Sequence, residues 1–126
     1  MRSRTILLLA IAFLTPFGLP RAADTEEHFG GIGVVIAQLY DQDSKDHRGE
    51  LVVLGVPADS TGAKAGIEAG DVIVAVDGHE TKGSAFADLV RRRLRGAVGS
   101  PVNLKIRRIG RVELLELQVT RVAMKG

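Results

Sequence analysis

The sequence contains no cysteine and no tryptophan, and its aromatic side chains are limited to four phenylalanines and one tyrosine. Without cysteine, the chain forms no disulfide and offers no thiolate to a metal ion. With so few rings, its core must be built from Val, Ile, Leu and Ala. Stability therefore has to come from the close packing of aliphatic side chains.

Metal-binding patterns are scarce as well. The three histidines are dispersed, and no two of them have the spacing of a zinc site. Asp41, Asp43 and Asp46 share one segment. However, Lys45 lies among them, and the glycine and distal glutamate of a calcium loop are missing. We therefore predict no metal site and no cofactor.

The first 23 residues have the pattern of a signal peptide. Arg2 and Arg4 precede an apolar stretch at 6–14, which is shorter than the ~20 residues that a spanning helix needs. Ala22 and Ala23 then offer a small-residue cleavage site. We predict export to the periplasm or the exterior. The alternative is an uncleaved segment that anchors the chain in the inner membrane.

The charge balance changes once this segment is removed. The whole chain has 17 basic and 15 acidic residues, and removing Arg2, Arg4 and Arg21 leaves 14 basic residues against 15 acidic ones. Thirteen acidic and four basic residues lie between positions 24 and 90, whereas ten basic and two acidic residues follow. A domain without net positive charge and with few aromatic rings is not typical of nucleic-acid binding. We predict no nucleic-acid partner.

The remaining length fits one domain. We predict a signal peptide at 1–23, a flexible lead-in at 24–29, the domain at 30–122 and a tail at 123–126. Apolar runs predict strands at 32–39, 51–56, 72–76, 102–106 and 112–119. Two helices, at 63–67 and 84–95, complete the pattern. The predicted fold class is α+β and mainly β: a partly open five- to six-stranded β-barrel or sandwich capped by two helices.

Cap and turn residues set the expected limits of these elements. Ser60 or Thr61 is placed to cap the short helix, and Gly70 to end it. Ser84 is the expected cap of the longer helix, and Gly96 its stop. The longer helix presents one apolar side, made of Phe86, Leu89, Val90 and Leu94.

Two smaller features belong to the strands. Asp77 and Gly78 predict a hairpin turn after the strand at 72–76. Val112, Leu114, Leu117 and Val119 are expected to form the last strand, although Leu115 breaks its strict alternation. Asp71 is interpreted as a structural residue that caps or bridges nearby backbone amides.

Three segments in register resemble the PDZ family. They are 30–34 (GGIGV), 63–78 (AKAGIEAGDVIVAVDG) and 94–108 (LRGAVGSPVNLKIRR), and the closing 117–121 (LQVTR) also fits. The form is the one found in bacterial exported proteases, and it is most similar to the PDZ segment of the C-terminal processing, or tail-specific, proteases. The resemblance covers about residues 29–122.

The resemblance implies that the tail of another polypeptide adds as a strand between the strand at 32–37 and the helix at 84–95. Backbone amides of Gly31, Ile32 and Gly33 would bind the terminal carboxylate, as in an anion-binding nest. The competing interpretation is that these glycines only begin a strand. Expected partners are protein or peptide C-termini with an apolar last residue, in an exported protease or an envelope protein. The expected groove residues are Val34, Ile36, Ala87, Val90, Arg91 and Leu94.

The basic run at 91–95 has two interpretations. Its arginines can form a solvated helix face that complements the negative end of the helix dipole. Alternatively, Arg91 or Arg95 attracts the ligand carboxylate.

We do not expect an enzyme. The proteases that the chain resembles carry a separate Ser–Lys catalytic domain, and the chain ends a few residues after its last predicted strand. None of its five serines lies in a nucleophile motif. The alternatives to a tail-binding module are a scaffold or membrane-tethered interaction protein without tail capture, and the remnant of a truncated tail-specific protease.

Overall fold

A computed structural model describes residues 29–124. The predicted signal peptide and nearly all of the lead-in lie outside the described residues. The strands are β1 Phe29–Gly31, β2 Val35–Tyr40, β3 Arg48–Gly55, β4 Val72–Val76, β5 His79–Glu80, β6 Pro101–Arg107, β7 Leu115–Thr120 and β8 Val122–Met124. The helices are α1 Thr61–Ala65 and α2, which begins as α-helix Phe86–Asp88 and continues as π-helix Leu89–Leu94.

The strands form two antiparallel sheets. The larger sheet has the order β2-β3-β4-β6-β7, with β5 paired to β4, and the smaller one is a ribbon of β1 and β8. Within residues 29–124 the large sheet is not closed into a barrel. The predicted mainly β fold with two helices is confirmed. No helix in this part of the chain is both long and apolar enough to cross a membrane.

The ribbon extends slightly past the predicted domain limits of 30 and 122. Phe29 lies opposite Met124, and Gly31 lies opposite Val122. Pairing between residues more than 90 positions apart joins the start of the domain to its end.

Some strands lie where their apolar pattern placed them. β4 has the predicted limits, and Asp77 and Gly78 both adopt positive φ angles in the turn that joins β4 to β5. In β6, Val102, Leu104 and Ile106 are buried and alternate with exposed residues. A period of two with one buried face is the signature of a half-buried strand.

The predicted strand at 32–39 was wrong in its limits. Residues 32–34 form a loop between β1, which ends at Gly31, and β2, which begins at Val35. Gly33 has φ +69°, a left-handed conformation that interrupts an extended strand. The break frees residues 32–34 from any ladder.

The predicted start of the last strand was also wrong, because Val112 and Leu114 precede β7. Leu115, Leu117 and Val119 are the more buried residues of β7, whereas Leu114 precedes the strand and is half-exposed. Ile106 pairs with Leu115, which fixes this register. Two adjacent leucines left the phase of the strand ambiguous in the sequence.

The turn between β6 and β7 contains two aliphatic residues that are exposed to solvent. Ile109 is 91% exposed and Val112 is 99% exposed. Gly110 lies between them with φ +88°, and a Cβ at this position would meet no other atom within 4 Å. This hairpin tip projects from the sheet and contributes nothing to the core.

The helix limits differ in part from the sequence expectation. Ser60 Oγ accepts a hydrogen bond of 3.0 Å from the Ala63 amide, so Ser60 is the cap of α1 as predicted. Gly66, with φ +99°, ends the helix, and the predicted end at Gly70 was wrong. Gly70 instead turns the chain into β4 with φ +97°.

The longer helix is shorter than predicted and changes its pitch. Its N-cap is Ala85, which makes no side-chain cap bond, so the predicted Ser84 cap was wrong. From Leu89 the helix is a π-helix, and the Arg95 amide bonds to the Val90 carbonyl. The buried Leu89 and Leu94 are five residues apart, the spacing that i→i+5 bonding brings to one face.

A buried ion pair fixes the turn between α1 and β4. Asp71 is 1% exposed and accepts hydrogen bonds from Arg108 Nε (2.9 Å) and Nη2 (2.7 Å). It also accepts one of 2.9 Å from the Glu68 amide, which confirms its predicted structural role. Burial raises the pKa of the Asp71 carboxyl. The hydrogen bonds from Arg108 and the Glu68 amide, with the attraction of the Arg108 charge, outweigh burial and lower that pKa overall.

Candidate functional site

The outer edge of β2 is open to a further strand. β2 is the terminal strand of the large sheet and pairs with β3 on one side only. Among the described residues, no strand pairs with its other edge. An unpaired edge presents backbone N–H and C=O groups to any extended chain that approaches.

Helix α2 runs antiparallel to β2 along this open edge. At one end, Gly30 and Gly96 exchange backbone hydrogen bonds of 2.7 and 3.1 Å. At the other end, Gln38 Nε2 donates 2.7 Å to the Ser84 carbonyl. Between these contacts, β2 bounds the surface on one side and α2 bounds it on the other. We call the surface between residues 32–40 and 84–96 the β2–α2 groove.

The loop at 32–34 enters this groove with free backbone amides. In the described part of the chain, the amides of Ile32, Gly33 and Val34 have no hydrogen-bond partner. The Ile32 carbonyl accepts 3.2 Å from the Gly62 amide and 3.5 Å from Thr61 Oγ1, both in α1. Because N–H and C=O point in opposite directions across a trans peptide, the Gly33 amide points away from α1.

Gly31 belongs to the ribbon and not to this loop. Its neighbour Gly30 directs its backbone groups to Gly96, so strand alternation directs those of Gly31 to Val122 in β8. A Cβ at Gly31 would lie 2.9 Å from Met124 Cγ. Of the three amides expected at the carboxylate site, the structure leaves those of Ile32 and Gly33 free, and it adds that of Val34.

The six expected groove residues divide into a floor and a rim. Val34, Ile36 and Leu94 are 2–4% exposed and belong to the core, and Val90 packs against that core while remaining partly accessible. The other two, Ala87 and Arg91, are exposed on α2. The floor of the groove is therefore aliphatic and already packed.

A close approach between α1 and the loop was not predicted from the sequence. A Cβ at Gly62 would lie 2.5 Å from Val34 Cγ1 and 3.1 Å from the Ile32 carbonyl oxygen. The position of α1 under the loop therefore depends on the absence of a side chain at Gly62. The available signal was a glycine inside a helical segment, which often marks close packing.

The basic run is mostly at the surface. Arg91 and Arg92 are exposed, and Arg92 Nε lies 3.8 Å from Asp88 Oδ1 one helical turn earlier. This arrangement fits a solvated helix face for Arg92. No group of three or more potential metal ligands occurs among residues 29–124.

A second concavity lies on the outer face of β4, away from the groove. Its volume is about 470 Å³, and its lining includes Val72, Val74 and Leu114. The charged lining residue Arg107 is paired with Glu50 at 2.7 Å. The β2–α2 groove, with unpaired backbone donors, is the stronger candidate site.

Comparison with known proteins agrees with this arrangement. Residues 52–108, which include α2 and begin after β2, match the PDZ domain family. This chain carries a PDZ domain. The resemblance noted in the sequence is confirmed, and the loop at 32–34 and β2 lie ahead of the matched range.

The similar proteins are mostly much longer. The carboxy-terminal-processing protease of Bartonella bacilliformis is 31% identical over 102 residues, which are 80% of this chain and 21% of that protease. The photosystem II D1 C-terminal processing protease has a TM-score of 0.63 and 32% identity, over 90% of this chain and 27% of that one. This chain therefore spans between a fifth and a third of the length of either relative.

A third similar structure is of a single domain, and its similarity to this chain shows a shared fold only. It is the HtrA3 PDZ domain bound to a phage-derived ligand, FGRWV, with a TM-score of 0.55 and 22% identity over 79% of this chain and 91% of that one.

Proposed function

We propose that this PDZ domain binds the carboxyl terminus of another polypeptide, which adds to β2 as an antiparallel strand in the β2–α2 groove. One observation carries the proposal. Within residues 29–124, three consecutive amides, of Ile32, Gly33 and Val34, lack partners at the point where an unpaired strand edge begins. Such amides are costly to leave unbonded in a largely buried loop, and a carboxylate satisfies several of them at once.

The direction of the bound tail follows from this placement. With its carboxylate at residues 32–34, the tail runs from Tyr40 back towards Val35, opposite to β2. A six-residue strand spans ~20 Å, so about six residues of the tail can pair with it. Backbone bonds along β2 would supply affinity without regard to sequence, and side-chain contacts would supply the preference.

The proposed preference is for an apolar last residue. Val34, Ile36, Val90 and Leu94 give this end of the groove an aliphatic floor. The ligand named with the HtrA3 PDZ domain ends in valine, and the structure of the HtrA-type protease AlgW was determined with a decapeptide. These ligands belong to those proteins, and they support the choice of peptides as probes for this one.

The proposed role is binding without catalysis. A PDZ domain binds polypeptides, and the chemistry of a protease requires a nucleophile and a base that the groove does not offer. We propose an exported protease or another envelope protein as the source of the tail.

Export is the second part of this proposal, and it rests on residues 1–23. If the chain is exported and cleaved after Ala23, protein from the periplasmic fraction should have the intact mass of a chain that begins at Asp24. A mass that retains Met1 would contradict cleavage and favour the anchored form.

Tail capture is tested by comparing free and amidated peptides. Hexapeptides from an array that differ in their last residue are titrated calorimetrically, and the tightest binder is remade with a C-terminal amide. Because charge-assisted hydrogen bonds are worth about 1.5–3 kcal/mol, amidation should weaken binding by at least ~10-fold. Equal affinity for both forms would reject tail capture and favour an interaction scaffold.

A matched pair of glycine variants locates the site. Gly33→Val should weaken binding of the free-acid peptide by at least ~10-fold, since it removes the φ +69° conformation that presents the amides. Gly110→Val is the control, because Gly110 also has a positive φ, +88°, but lies at the far hairpin tip. Arg92→Ala should change affinity by less than ~2-fold, the size of an exposed ion-pair effect. Loss of binding in Arg92→Ala with full binding in Gly33→Val would overturn the assignment.

A further inference from the structure

Arg121 occupies a buried position behind the groove that the proposed function does not use. It lies between β7 and β8 and is only 7% exposed. Its nearest carboxylate oxygen, Asp77 Oδ2, is 3.9 Å away, which is too long for a hydrogen bond. The guanidinium is therefore held chiefly by neutral acceptors.

These acceptors include the end of helix α2. Arg121 Nε donates 2.8 Å to the Leu94 carbonyl, and Nη2 donates 3.0 Å to the Arg93 carbonyl. The last carbonyls of a helix have no partner within the helix, and they carry the negative end of its dipole. A fixed cation satisfies both requirements and fixes the position of this end of α2.

The other side of the guanidinium holds the strand that follows. Nη1 donates 2.9 Å to Ser100 Oγ and 3.1 Å to the Pro101 carbonyl at the start of β6. Arg121 therefore joins the last turn of α2 to the large sheet.

Two glycines make room for this arrangement. A Cβ at Gly96 would lie 2.7–2.9 Å from Arg121 Cζ, Nε and Nη1, and a Cβ at Gly30 would lie 2.8 Å from Arg121 Cβ. Gly30 and Gly96 pair with each other through their backbones. The Arg121 side chain thus packs against the Gly30–Gly96 backbone pair. This pair connects the segment before the loop at 32–34 with the segment after α2.

The backbone next to Arg121 reaches the loop from the other direction. Val122 lies opposite Gly31, the residue that precedes the free amides. Arg121 therefore bonds to the end of α2 through its side chain, and it directly precedes β8, the strand that pairs with the chain before the loop at 32–34. At the opposite end of the groove, Gln38 is 5% exposed and bonds to Ser84.

We propose that Arg121 is a positioning residue of the β2–α2 groove, which sets the distance between α2 and the loop at 32–34 before a peptide arrives. The inference rests on the proposed function and adds a residue that touches no ligand. If the groove already has the width that it needs in the complex, no binding free energy is lost in closing it around the peptide. The affinity should therefore depend on the hydrogen bonds of Arg121 that hold α2 in place.

The test compares Arg121→Met and Arg121→Lys with Val119→Ala in the full chain. Val119 is a core residue of β7, 1% exposed, so its truncation lowers stability without removing a bond to α2. Each variant is titrated with the free-acid and amidated forms of the tightest hexapeptide from the array, and its unfolding is measured in urea. The titrations are made under conditions in which all variants are fully folded.

Arg121→Met should weaken binding of the free-acid peptide by ~10-fold, and Val119→Ala by less than ~2-fold, on the scale of one preorganising contact. Arg121→Lys should fall between them, because a lysine reaches fewer of the four acceptors. Equal affinities for Arg121→Met and Val119→Ala would overturn the proposal and leave tail capture intact. Failure of the unmodified protein to distinguish acid from amide would instead reject the proposed function.

If Arg121→Met does not fold, the proposal is tested by measuring amide hydrogen exchange in Arg121→Lys and in the unmodified chain. Positioning predicts faster exchange at the amides of Gly30 and Gly62, which bond to the Gly96 and Ile32 carbonyls on either side of the loop, as well as at the end of α2. Faster exchange confined to α2 would show a local helix cap only and would overturn the proposal.

Discussion

Replacing Asp71 by alanine is expected to lower the free energy of unfolding by about 3 kcal/mol at neutral pH, because it removes the buried carboxylate partner of Arg108. Arg108 would then keep only the exposed carboxylate of Glu68, 3.5 Å from its Nη1. The Arg108 side chain is only 17% exposed, and Asp71 supplies two of its acceptors. The Glu68 amide loses its acceptor in the same change. Urea denaturation followed by circular dichroism measures the effect.

An exposed ion pair provides the control for this variant. Arg107 and Glu50 are also 2.7 Å apart, but their side chains are 48% and 32% exposed. Glu50→Ala should therefore cost no more than ~1 kcal/mol. The double variant Asp71→Leu with Arg108→Met should recover most of the lost stability, since it removes both charges. An Asp71→Ala effect as small as that of Glu50→Ala would contradict the account.

The same carboxylate makes stability depend on acid pH. The pKa of Asp71 is lower in the folded chain than its usual value, so the folded state favours the ionised form. Its stabilising contribution is complete above the unfolded pKa of about 4 and is lost as the pH falls through the folded value. Unfolding free energies measured from pH 7 down to pH 2 should decrease less steeply below pH 5 in Asp71→Asn than in the unmodified chain.

Replacing Gly62 by alanine is expected to disturb the groove from beneath. The new Cβ would lie 2.5 Å from Val34 Cγ1, so α1 or the loop must move, at a cost of about 1–3 kcal/mol. Helix propensity alone favours alanine over glycine by about 1 kcal/mol, so a measured loss would come from packing. Because the loop carries the free amides, peptide affinity should fall together with stability.

A compensating change separates crowding from other effects of Gly62→Ala. Val34→Ala removes the methyl group that the new Cβ meets, so the double variant should be more stable than the sum of the two single changes predicts. Additive losses would show that Gly62 and Val34 do not press on each other.

Apolar alternation predicted the central strands of the domain well and its first and last strands poorly. β4 and β6 are flanked by turn residues and have one clear inward face, so their limits follow from local sequence. Leu114 and Leu115 are adjacent and equally apolar, and only the pairing of Leu115 with Ile106 decides which one faces inward. Gly33 separates β1 from β2 through a backbone angle that a strand pattern does not encode.

The binding site remains a prediction, but the position of the free amides differs by one residue from the expected one, and the difference has a physical cause. The resemblance placed the free amides at Gly31, Ile32 and Gly33. Gly31 is withdrawn from this set by β8, which lies at the other end of the chain. No local pattern reports such a distant pairing.

The structural roles of Arg108 and Arg121 were not predicted either. Arg108 and Arg121 bond to groups at least 20 residues away in sequence, and they stand in a segment rich in other basic residues. In a sequence, an arginine on the surface and one that holds a helix end look the same, because the difference lies in acceptors that only the fold brings together.

The hairpin tip offers a way to observe the groove without touching it. Val112 is almost fully in water, and the chain has no thiol of its own. A Val112→Cys substitution would thus create a unique attachment point for a maleimide dye, outside the core and outside the residues that bound the groove. Fluorescence anisotropy of the labelled domain would then report complexes with large partner proteins, while its packed interior stays as it is.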